Sequence, residues 1–204
     1  MKVIDLGLVD YQLCCEDMRD FTFQRNKNTE DELWLLEHYP VFTQGLNGKD
    51  KHVFDTGTIP VIKTDRGGQI TYHGPGQLIA YTLIDLKRQH IGVREMVSKL
   101  ENTVIKFLAN NGIDSQARNE APGVYVDGRK IASLGLRVKR GACYHGLSLN
   151  IDMDLSPFSN INPCGHQGME MVDLKSLNIK MTMTQAKQQF ISEFKQQMRQ
   201  EKND

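Results

Sequence analysis

The segment INPCGHQGMEM, residues 161–171, places Cys164 between a proline and a glycine, two positions before His166. A cysteine in such a turn is either a small buried residue or an exposed nucleophile. As a nucleophile it must react as the thiolate, which a neighbouring cation or base favours. His166 is the nearest such base in the sequence, so a Cys–His pair is one interpretation of this segment.

A second unusual segment is RGGQITYHGPGQLIAY, residues 66–81, in which four glycines allow the backbone to turn or to approach a ligand closely. Arg66 supplies a fixed fork of hydrogen-bond donors, and His73 supplies a switchable proton carrier. The phosphate-loop pattern GxxxxGK(S/T) and the Rossmann pattern GxGxxG are both missing from this sequence. Glycines between strands are often simple turns. Together with an accessible cysteine, however, they favour a substrate site.

The segment GRKIASLGLRVKRGACYHGLSLN alternates Lys130 with the apolar Ile131. On a strand these residues point to opposite faces, so the ordinary interpretation of Lys130 is a solvated lysine. Further along, Arg137, Lys139 and Arg140 cluster at a predicted turn. We interpret this cluster as a docking patch for an acidic partner, with a solvated turn as the alternative.

The composition excludes several broad classes of protein. The 204 residues carry 25 Lys+Arg and 25 Asp+Glu, and this zero net charge argues against nucleic-acid binding. No apolar run approaches the roughly 18 residues of a membrane span, and the opening segment lacks the apolar stretch of a signal peptide. The cysteines form no CxxC pair, so we expect free thiols and no metal site. We therefore expect a monomeric cytoplasmic protein that contacts no membrane and needs no cofactor.

Apolar periodicity predicts the elements around these segments. They are an opening strand KVIDLGLV, a helix from Asp10, two strands flanking Pro40, strands near 60–63, 69–73 and 77–85, a helix VREMVSKLENTVIKFLANNG, hairpin turns at Asp127–Gly128 and Lys139–Gly141, and a final helix capped by Thr184. The final helix has few apolar positions, so we expect it to be shallowly buried. The pattern favours one α+β domain over residues 1–204, with helices packed on a mixed sheet.

Four blocks of the chain resemble, in order, the octanoyltransferase family, the lipoyl(octanoyl) transferases. They are EHYPVFTQG, RGGQITYHGPGQL, GRKIASLGLRV with YHGLSLN, and INPCGHQGMEM, and they extend from about residue 30 to about residue 175. Each block is modestly specific, whereas the ordered set is highly specific. Two positions depart from the family pattern: Ser148 stands where alanine is common, and His166 where a bulkier apolar or tyrosine side chain is common.

This resemblance implies a fold similar to the catalytic domains of biotin and lipoate ligases. It implies transfer of an octanoyl group from octanoyl-acyl carrier protein to a lysine of lipoyl domains, the first step of protein lipoylation. The acceptors would be the lipoyl domains of 2-oxoacid dehydrogenase complexes and the glycine cleavage H protein. By the same resemblance, Cys164 is the nucleophile that carries the acyl thioester and Lys130 is its partner. The residues implied to line the substrate site are Arg66, Gly67, Gly68, Gln69, Ile70, Thr71, Tyr72, His73, Ser133, Leu134, Gly135, Gly146, Leu147 and Ser148.

The implied chemistry suits these residues. The Lys130 ammonium would favour a thiolate and could protonate the departing thiol, and the neutral amine could accept a proton from the acceptor lysine. Thioester exchange is nearly neutral in free energy and amide formation is downhill, so no ATP is required. His166 remains a second candidate for the activating group, and backbone N–H groups near Gly76 or at Cys164 are candidate oxyanion donors.

Three other functions remain open at this stage. An ATP-dependent lipoate or biotin ligase would share the fold but would need no nucleophilic cysteine. A thiol hydrolase would pair Cys164 with His166, His145 or His73, and water would replace the acceptor lysine. A non-catalytic module that binds acyl carrier protein would retain its function without the cysteine.

Overall fold

The computed structural model of the chain describes residues 1–118 and 120–199. Its helices and strands are β1 (Lys2–Val9), α1 (Tyr11–Gln24), β2 (Glu32–His38), β3 (Val41–Gln44), β4 (Val61–Lys63), β5 (Ile70–His73), β6 (Gln77–Asp85), α2 (Val93–Ala109), β7 (Gln116–Ala117), β8 (Gly123–Val126), β9 (Arg129–Lys139), β10 (Ala142–Asn150) and α3 (Met183–Arg199). Short 3₁₀ helices span Asp50–His52, Ser156–Asn160 and Pro163–Gly165. Within the described ranges, none of the helices has the length and apolar character that a membrane span requires.

Seven strands of the described chain form one sheet in the order β1-β2-β6-β10-β9-β8-β7. β1 and β2 pair in parallel, and the remaining neighbours pair antiparallel. The predicted hairpin turns at Asp127–Gly128 and Lys139–Gly141 join β8 to β9 and β9 to β10. The predicted fold class, an α+β fold with helices packed on a mixed sheet, is therefore confirmed.

Helices cover both faces of this sheet because the inner strand β6 is apolar on each face. Its residues alternate between two buried clusters, with Ala80 in the cluster under α2 and α3 and Ile79 in the cluster under α1. Phe107 of α2 is fully buried on the first face, and Met18 of α1 on the second. Each such side chain contributes about 1.5–3 kcal/mol of transfer free energy.

The last helix, α3, differs from the sequence-based expectation in two respects. Its N-cap is Thr182, whose hydroxyl accepts from the N–H of Gln185 at 3.2 Å, while the Gln185 side chain accepts from the N–H of Thr182 at 2.9 Å. This reciprocal capping box places the predicted cap, Thr184, inside the helix. The few apolar residues also suffice for deep burial, since Phe190 and Phe194 lie on one face, stack at 6.0 Å and are 0% exposed. The expectation of shallow burial is wrong.

A second sheet, in the order β4-β3-β5, holds the glycine-rich segment. β5 pairs antiparallel with β3, and the loop before β5 contains Gly67 and Gly68. The N–H of Gly67 donates to the carbonyl of Leu136 in β9 at 2.9 Å. This bond ties the glycine-rich loop of the small sheet to the middle of the large sheet.

Candidate active site

Cys164 lies at the centre of the 3₁₀ turn Pro163–Gly165, with backbone φ 56° and ψ 15°. This left-handed conformation is uncommon for a residue other than glycine, and such strain concentrates at functional sites. The N–H of Gly165 closes the turn by donating to the carbonyl of Asn162 at 2.9 Å. The Cys164 thiol is half-buried, whereas the other three cysteines are buried. Cys164 is therefore the accessible thiol of the described chain.

Lys130 is buried at an irregularity in the β8–β9 hairpin. The pairing shifts register between Val124 and Tyr125, so the β9 residue Ile131 lies between two paired positions as an extra residue. Lys130 and Ile131 are both 0% exposed, so burial at this point of β9 includes successive residues. The interpretation of Lys130 as a solvated strand lysine is therefore wrong.

The segment that follows Cys164 in the chain returns to pair with Lys130. The N–H of Lys130 donates to the carbonyl of Glu170 at 2.8 Å, and the N–H of Val172 donates to the carbonyl of Lys130 at 3.0 Å. The Lys130 Nζ donates to the Cys164 Sγ at 2.9 Å. At this distance the lysine nitrogen is within hydrogen-bond reach of the sulfur, as the group that activates a nucleophile must be.

His166 is placed differently, although it is only two residues from Cys164. Its side chain is exposed and lines a separate groove, together with Arg118 and Arg129. Within the described residues, the hydrogen bond to the Cys164 sulfur comes from Lys130, and none joins Cys164 to His166. The structure thus brings together the Cys–Lys pair and not the Cys–His pair.

A cavity of about 410 Å³ opens beside Cys164, a volume typical of small-molecule sites. All the predicted substrate-site residues except Tyr72 line it, namely Arg66, Gly67, Gly68, Gln69, Ile70, Thr71, His73, Ser133, Leu134, Gly135, Gly146, Leu147 and Ser148. Tyr72 differs because alternation along β5 turns its side chain away from that of Thr71 and His73. Its ring packs instead against Phe42 and Phe158, with centroid distances of 5.4 and 5.5 Å.

Arg66 holds the glycine-rich loop in place through its whole guanidinium. Nη2 donates to the carbonyls of Thr43 and Gln69 at 2.5 and 2.9 Å. Nη1 donates to the carbonyl of Gly67 at 2.9 Å, and Nε donates to the Thr43 hydroxyl at 3.2 Å. Burial lowers the pKa of this guanidinium, and an electrostatic interaction with Cys164 opposes that change. Arg66 therefore shapes the loop and adds positive charge near the thiol.

An oxyanion donor was expected near Gly76, and Gln69 is a second polar residue close to the cysteine turn. The N–H of Gly76 donates to the Glu37 Oε2 at 2.7 Å, so this N–H is already engaged and its expected role is not supported. The Gln69 side-chain amide lies beside the cysteine turn, since a Cβ at Gly165 would be 3.2 Å from its Cδ. Its Oε1 is buried, and no residue of the described chain bonds to it. Because an amide oxygen only accepts, Gln69 is a candidate to accept a hydrogen bond from substrate, and its Oε1 is not an oxyanion donor.

Several residues of the cavity wall carry no sequence signal of function. Their aromatic or aliphatic side chains alternate like ordinary core residues, and only the packing of three separate elements places them at the cavity. They are Tyr11 of α1, Ile79 and Tyr81 of β6, and Val93 and Val97 of α2.

Buried histidines form part of the same region and are held neutral. His38 Nε2 lies 2.7 Å from the Tyr81 hydroxyl, and His73 Nδ1 lies 2.7 Å from the Gln77 Oε1. Burial lowers the pKa of His38 to about 4, and lowers those of His73 and His145 as well. Of these rings, His73 and His145 line the cavity, and because they are uncharged at neutral pH this part of the wall suits an apolar acyl chain.

The neutral histidines predict that acid destabilises the fold. A histidine in the unfolded chain has a pKa near 6.5, whereas burial lowers the pKa of His38 in the folded chain to about 4. The contribution of His38 to the free energy of unfolding is therefore complete above pH 6.5 and is lost as the pH falls towards 4. We expect the free energy of unfolding to fall by about 1.4 kcal/mol per pH unit for each such histidine. Urea denaturation at a series of pH values gives the free energy of unfolding as a function of pH. This free energy should fall less steeply with falling pH in His38→Gln than in the wild type, and equally steeply in His90→Asn, where an exposed residue is changed. Equal slopes for His38→Gln and the wild type would contradict this account.

Asp65 fixes the orientation of His145 beside the cavity. One Asp65 oxygen lies 3.1 Å from the His145 Nε2, and the other accepts a short hydrogen bond from the Tyr144 hydroxyl. The bond from His145 is the main cause that lowers the pKa of Asp65 to about 2.

Cys15, Asp65 and His145 also place potential metal-ligand atoms within 4.8 Å of one another. Because both Asp65 oxygens are engaged and burial raises the pKa of the Cys15 thiol, we interpret this group as a hydrogen-bonded cluster.

Comparison with known proteins is consistent with this site. The family described as the lipoyl protein ligase A/B catalytic domain matches residues 16–195. An octanoyltransferase of Marinomonas sp. (strain MWYL1) is 56% identical over 194 residues, which are 95% of this chain and 91% of the relative. The crystal structure of lipoate-protein ligase A bound with ATP superposes with a TM-score of 0.81 at 12% identity, over 97% of this chain and 85% of that one.

The biotin protein ligase of Aquifex aeolicus shares the fold more distantly, with a TM-score of 0.59 at 9% identity over 97% of this chain and 68% of that one. At these identities the two ligase structures establish the fold alone, and they confirm the expected similarity to biotin and lipoate ligase domains. The sequence relationship is much closer. This chain belongs to the octanoyltransferase family and is an acyltransferase.

Proposed function

We propose that the chain transfers an octanoyl group from octanoyl-acyl carrier protein to a lysine of lipoyl domains, through a thioester on Cys164. The observation that carries this proposal is the contact of 2.9 Å between the buried Lys130 Nζ and the Cys164 Sγ, at the edge of the cavity. The test is transfer from octanoyl-acyl carrier protein to a lipoyl domain without ATP, followed by intact-protein mass spectrometry. Transfer that requires ATP and free octanoic acid would contradict the proposal.

The first half of the reaction moves the acyl group onto the enzyme. The Cys164 thiolate attacks the thioester carbonyl, and the bond from that carbon to the phosphopantetheine sulfur breaks. The departing thiolate takes a proton from the Lys130 ammonium, which leaves Lys130 as a neutral amine. One thioester replaces another, so this step is nearly neutral in free energy.

The second half returns both side chains to their starting states. The amine of the acceptor lysine attacks the thioester carbonyl on Cys164, and the Cys164 thiolate leaves as the amide forms. The neutral Lys130 amine takes the proton that the acceptor nitrogen loses, and becomes an ammonium again. Formation of an amide from a thioester is downhill, so the cycle closes without ATP.

The partners follow from the same proposal. The acceptors are the lipoyl domains of 2-oxoacid dehydrogenase complexes and the glycine cleavage H protein, and the family description as a lipoyl protein ligase domain supports this choice. We also propose that residues 1–204 act as one catalytic domain, as a monomer in the cytoplasm, without nucleic acid or membrane. A thiol hydrolase is disfavoured because the exposed His166 does not contact Cys164, while His73 and His145 are hydrogen-bonded to Gln77 and Asp65.

The donor protein should dock at the β9–β10 turn, where the basic residues Arg137, Lys139 and Arg140 lie next to the cavity residue Leu136. If the carrier is acidic, we expect Lys139→Glu with Arg140→Glu to raise the KM for octanoyl-acyl carrier protein about tenfold, because charge complementarity speeds encounter. Added salt should likewise raise the KM of the wild type for octanoyl-acyl carrier protein, because it screens the same charges.

Two controls distinguish docking from damage to the site. Lys106→Glu, an exposed change near the C-terminal end of α2, should leave the KM unchanged. Reaction with a small octanoyl thioester should not respond to salt or to the turn variant. Kinetics with the carrier that are independent of salt would remove this part of the proposal.

A further inference from the structure

The buried ammonium of Lys130 needs compensation from its surroundings, since an isolated charge is strongly disfavoured in the protein interior. Gly123 of β8 provides the space for it. A Cβ at this position would lie 2.4 Å from the Lys130 Cε and 3.0 Å from its Nζ. Residue 123, which has φ +152°, must therefore lack a side chain if the ammonium is to reach Cys164.

The ring of Tyr125 is the nearest aromatic group to this ammonium. The Lys130 Nζ lies 5.4 Å from the ring centroid, within the range of a cation–π interaction. Tyr125 is 1% exposed, and its hydroxyl donates to the carbonyl of Ala121 at 2.7 Å, which fixes the ring. The guanidinium of Arg118 also lies over this ring, at 4.3 Å. Burial raises the pKa of the phenol, so Tyr125 stays a neutral hydrogen-bond donor.

A carboxylate approaches the same ammonium from helix α2. Glu101 Oε1 accepts from the N–H of Gly123 at 3.1 Å, so it lies next to the glycine that borders Lys130. Burial raises the pKa of the half-buried Glu101, while the bond from Gly123 and the charge of Lys130 lower it. The groups that face the Lys130 side chain are thus Cys164, the Tyr125 ring and the Glu101 carboxylate.

We propose that Tyr125 and Glu101 are positioning residues that hold the Lys130 ammonium charged and directed at Cys164. The ring and the carboxylate replace the water that a buried ammonium has lost. Neither residue contacts the acyl group in this scheme; both act through Lys130. The inference rests on the proposed roles of Cys164 and Lys130, but its test does not require octanoyl transfer.

The experiment is the rate of alkylation of Cys164 by iodoacetamide as a function of pH, in the full chain, followed by mass spectrometry of the Cys164 peptide. This rate reports the thiolate fraction without donor or acceptor. Tyr125→Leu removes the ring, and we expect it to slow alkylation about tenfold at neutral pH, with recovery at higher pH. Tyr125→Phe keeps the ring and should stay within about threefold of the wild type. Glu101→Gln should slow alkylation about threefold or more at neutral pH.

A double-mutant cycle separates action through Lys130 from general damage. In a Lys130→Met background, neither Tyr125→Leu nor Glu101→Gln should change the rate further. Phe42→Leu removes an equally buried ring away from Lys130 and should leave the pH profile unchanged. Should Tyr125→Leu fail to fold, the Glu101→Gln cycle carries the test.

The inference would be overturned by profiles that match the wild type in both Tyr125→Leu and Glu101→Gln. Equal slowing with and without Lys130 would also overturn it, as would the same loss in Tyr125→Phe as in Tyr125→Leu. If Cys164 is alkylated as slowly in the wild type as in Lys130→Met, Lys130 does not activate Cys164, and the proposed roles of both residues are rejected. A shift in alkylation with no octanoyl transfer would leave the positioning roles intact and reject the proposed function.

Discussion

The Cys164→Ser variant should form no acyl adduct when it is mixed with octanoyl-acyl carrier protein without ATP, whereas the wild type should gain the mass of one octanoyl group. We expect loss of transfer by at least about 10³-fold, because a serine hydroxyl beside Lys130 is a far weaker nucleophile than a thiolate. The measurement is intact-protein mass spectrometry before and after addition of a lipoyl domain, where the wild-type adduct should move to the acceptor.

The matched control is Cys143→Ser, which alters a buried cysteine in β10 and should retain the adduct. An adduct that persists in Cys164→Ser would place the acyl group elsewhere. An adduct that forms on the wild type and is released as free octanoate, without reaching the lipoyl domain, would indicate a thiol hydrolase. No adduct on the wild type would favour a non-catalytic binding module.

The second large effect concerns Lys130, where activity and stability should change in different ways. Lys130→Met has a similar length, so it fills the space beside Cys164 and removes a buried charge. Loss of one member of a buried ion pair is destabilising when the other charge stays buried, but the Cys164 sulfur is only half-buried and can take up a proton. We therefore expect an unchanged or higher free energy of unfolding in urea, with single-turnover acylation slowed by about 10²–10⁴-fold.

His166→Ala is the comparison that decides the activating group. Because His166 is exposed and does not contact the sulfur, we expect acylation within about twofold of the wild type. A large loss in His166→Ala together with a small loss in Lys130→Met would restore the Cys–His interpretation. Rapid-quench kinetics of the acylation step measures both variants in the same way.

Local elements of this protein were predictable because their signals are local. The helix cap at Asp10 is confirmed, since its side chain accepts from the N–H of Leu13 at 3.0 Å. The turns at Asp127–Gly128 and Lys139–Gly141 join strands as expected. In these cases the preference of a few neighbouring residues fixes the backbone, so the sequence carries the information directly.

The cap of the last helix shows where the same reasoning fails. Thr182 and Thr184 are chemically equivalent as caps, and only the spacing to Gln185 distinguishes them: Thr182 stands three residues before Gln185, the capping-box spacing, and forms the reciprocal bonds. The burial of Phe190 and Phe194 depends on the face that α2 and the sheet present to α3. Two phenylalanines four residues apart define a stripe, but its depth is a property of the surface it packs against.

By itself, the sequence determined the α+β class, the strands and helices around the site, and three segments in which glycines accompany residues able to do chemistry. Its ordered blocks also pointed to the octanoyltransferase family. It left two candidates to activate Cys164, and it gave Lys130 the appearance of a surface residue. Both limits arise because periodicity describes a regular strand and contains no information about partners far along the chain.

The tertiary structure alone decided how the site is assembled. The fold buries Lys130 at the register shift of the β8–β9 hairpin, and the return of residues 170–172 alongside β9 brings Cys164 within 2.9 Å of it. The same packing excludes Tyr72 from the cavity and admits Tyr11. These contacts depend on strand register and on chain segments that meet only in the folded state, so their physical cause lies in the fold.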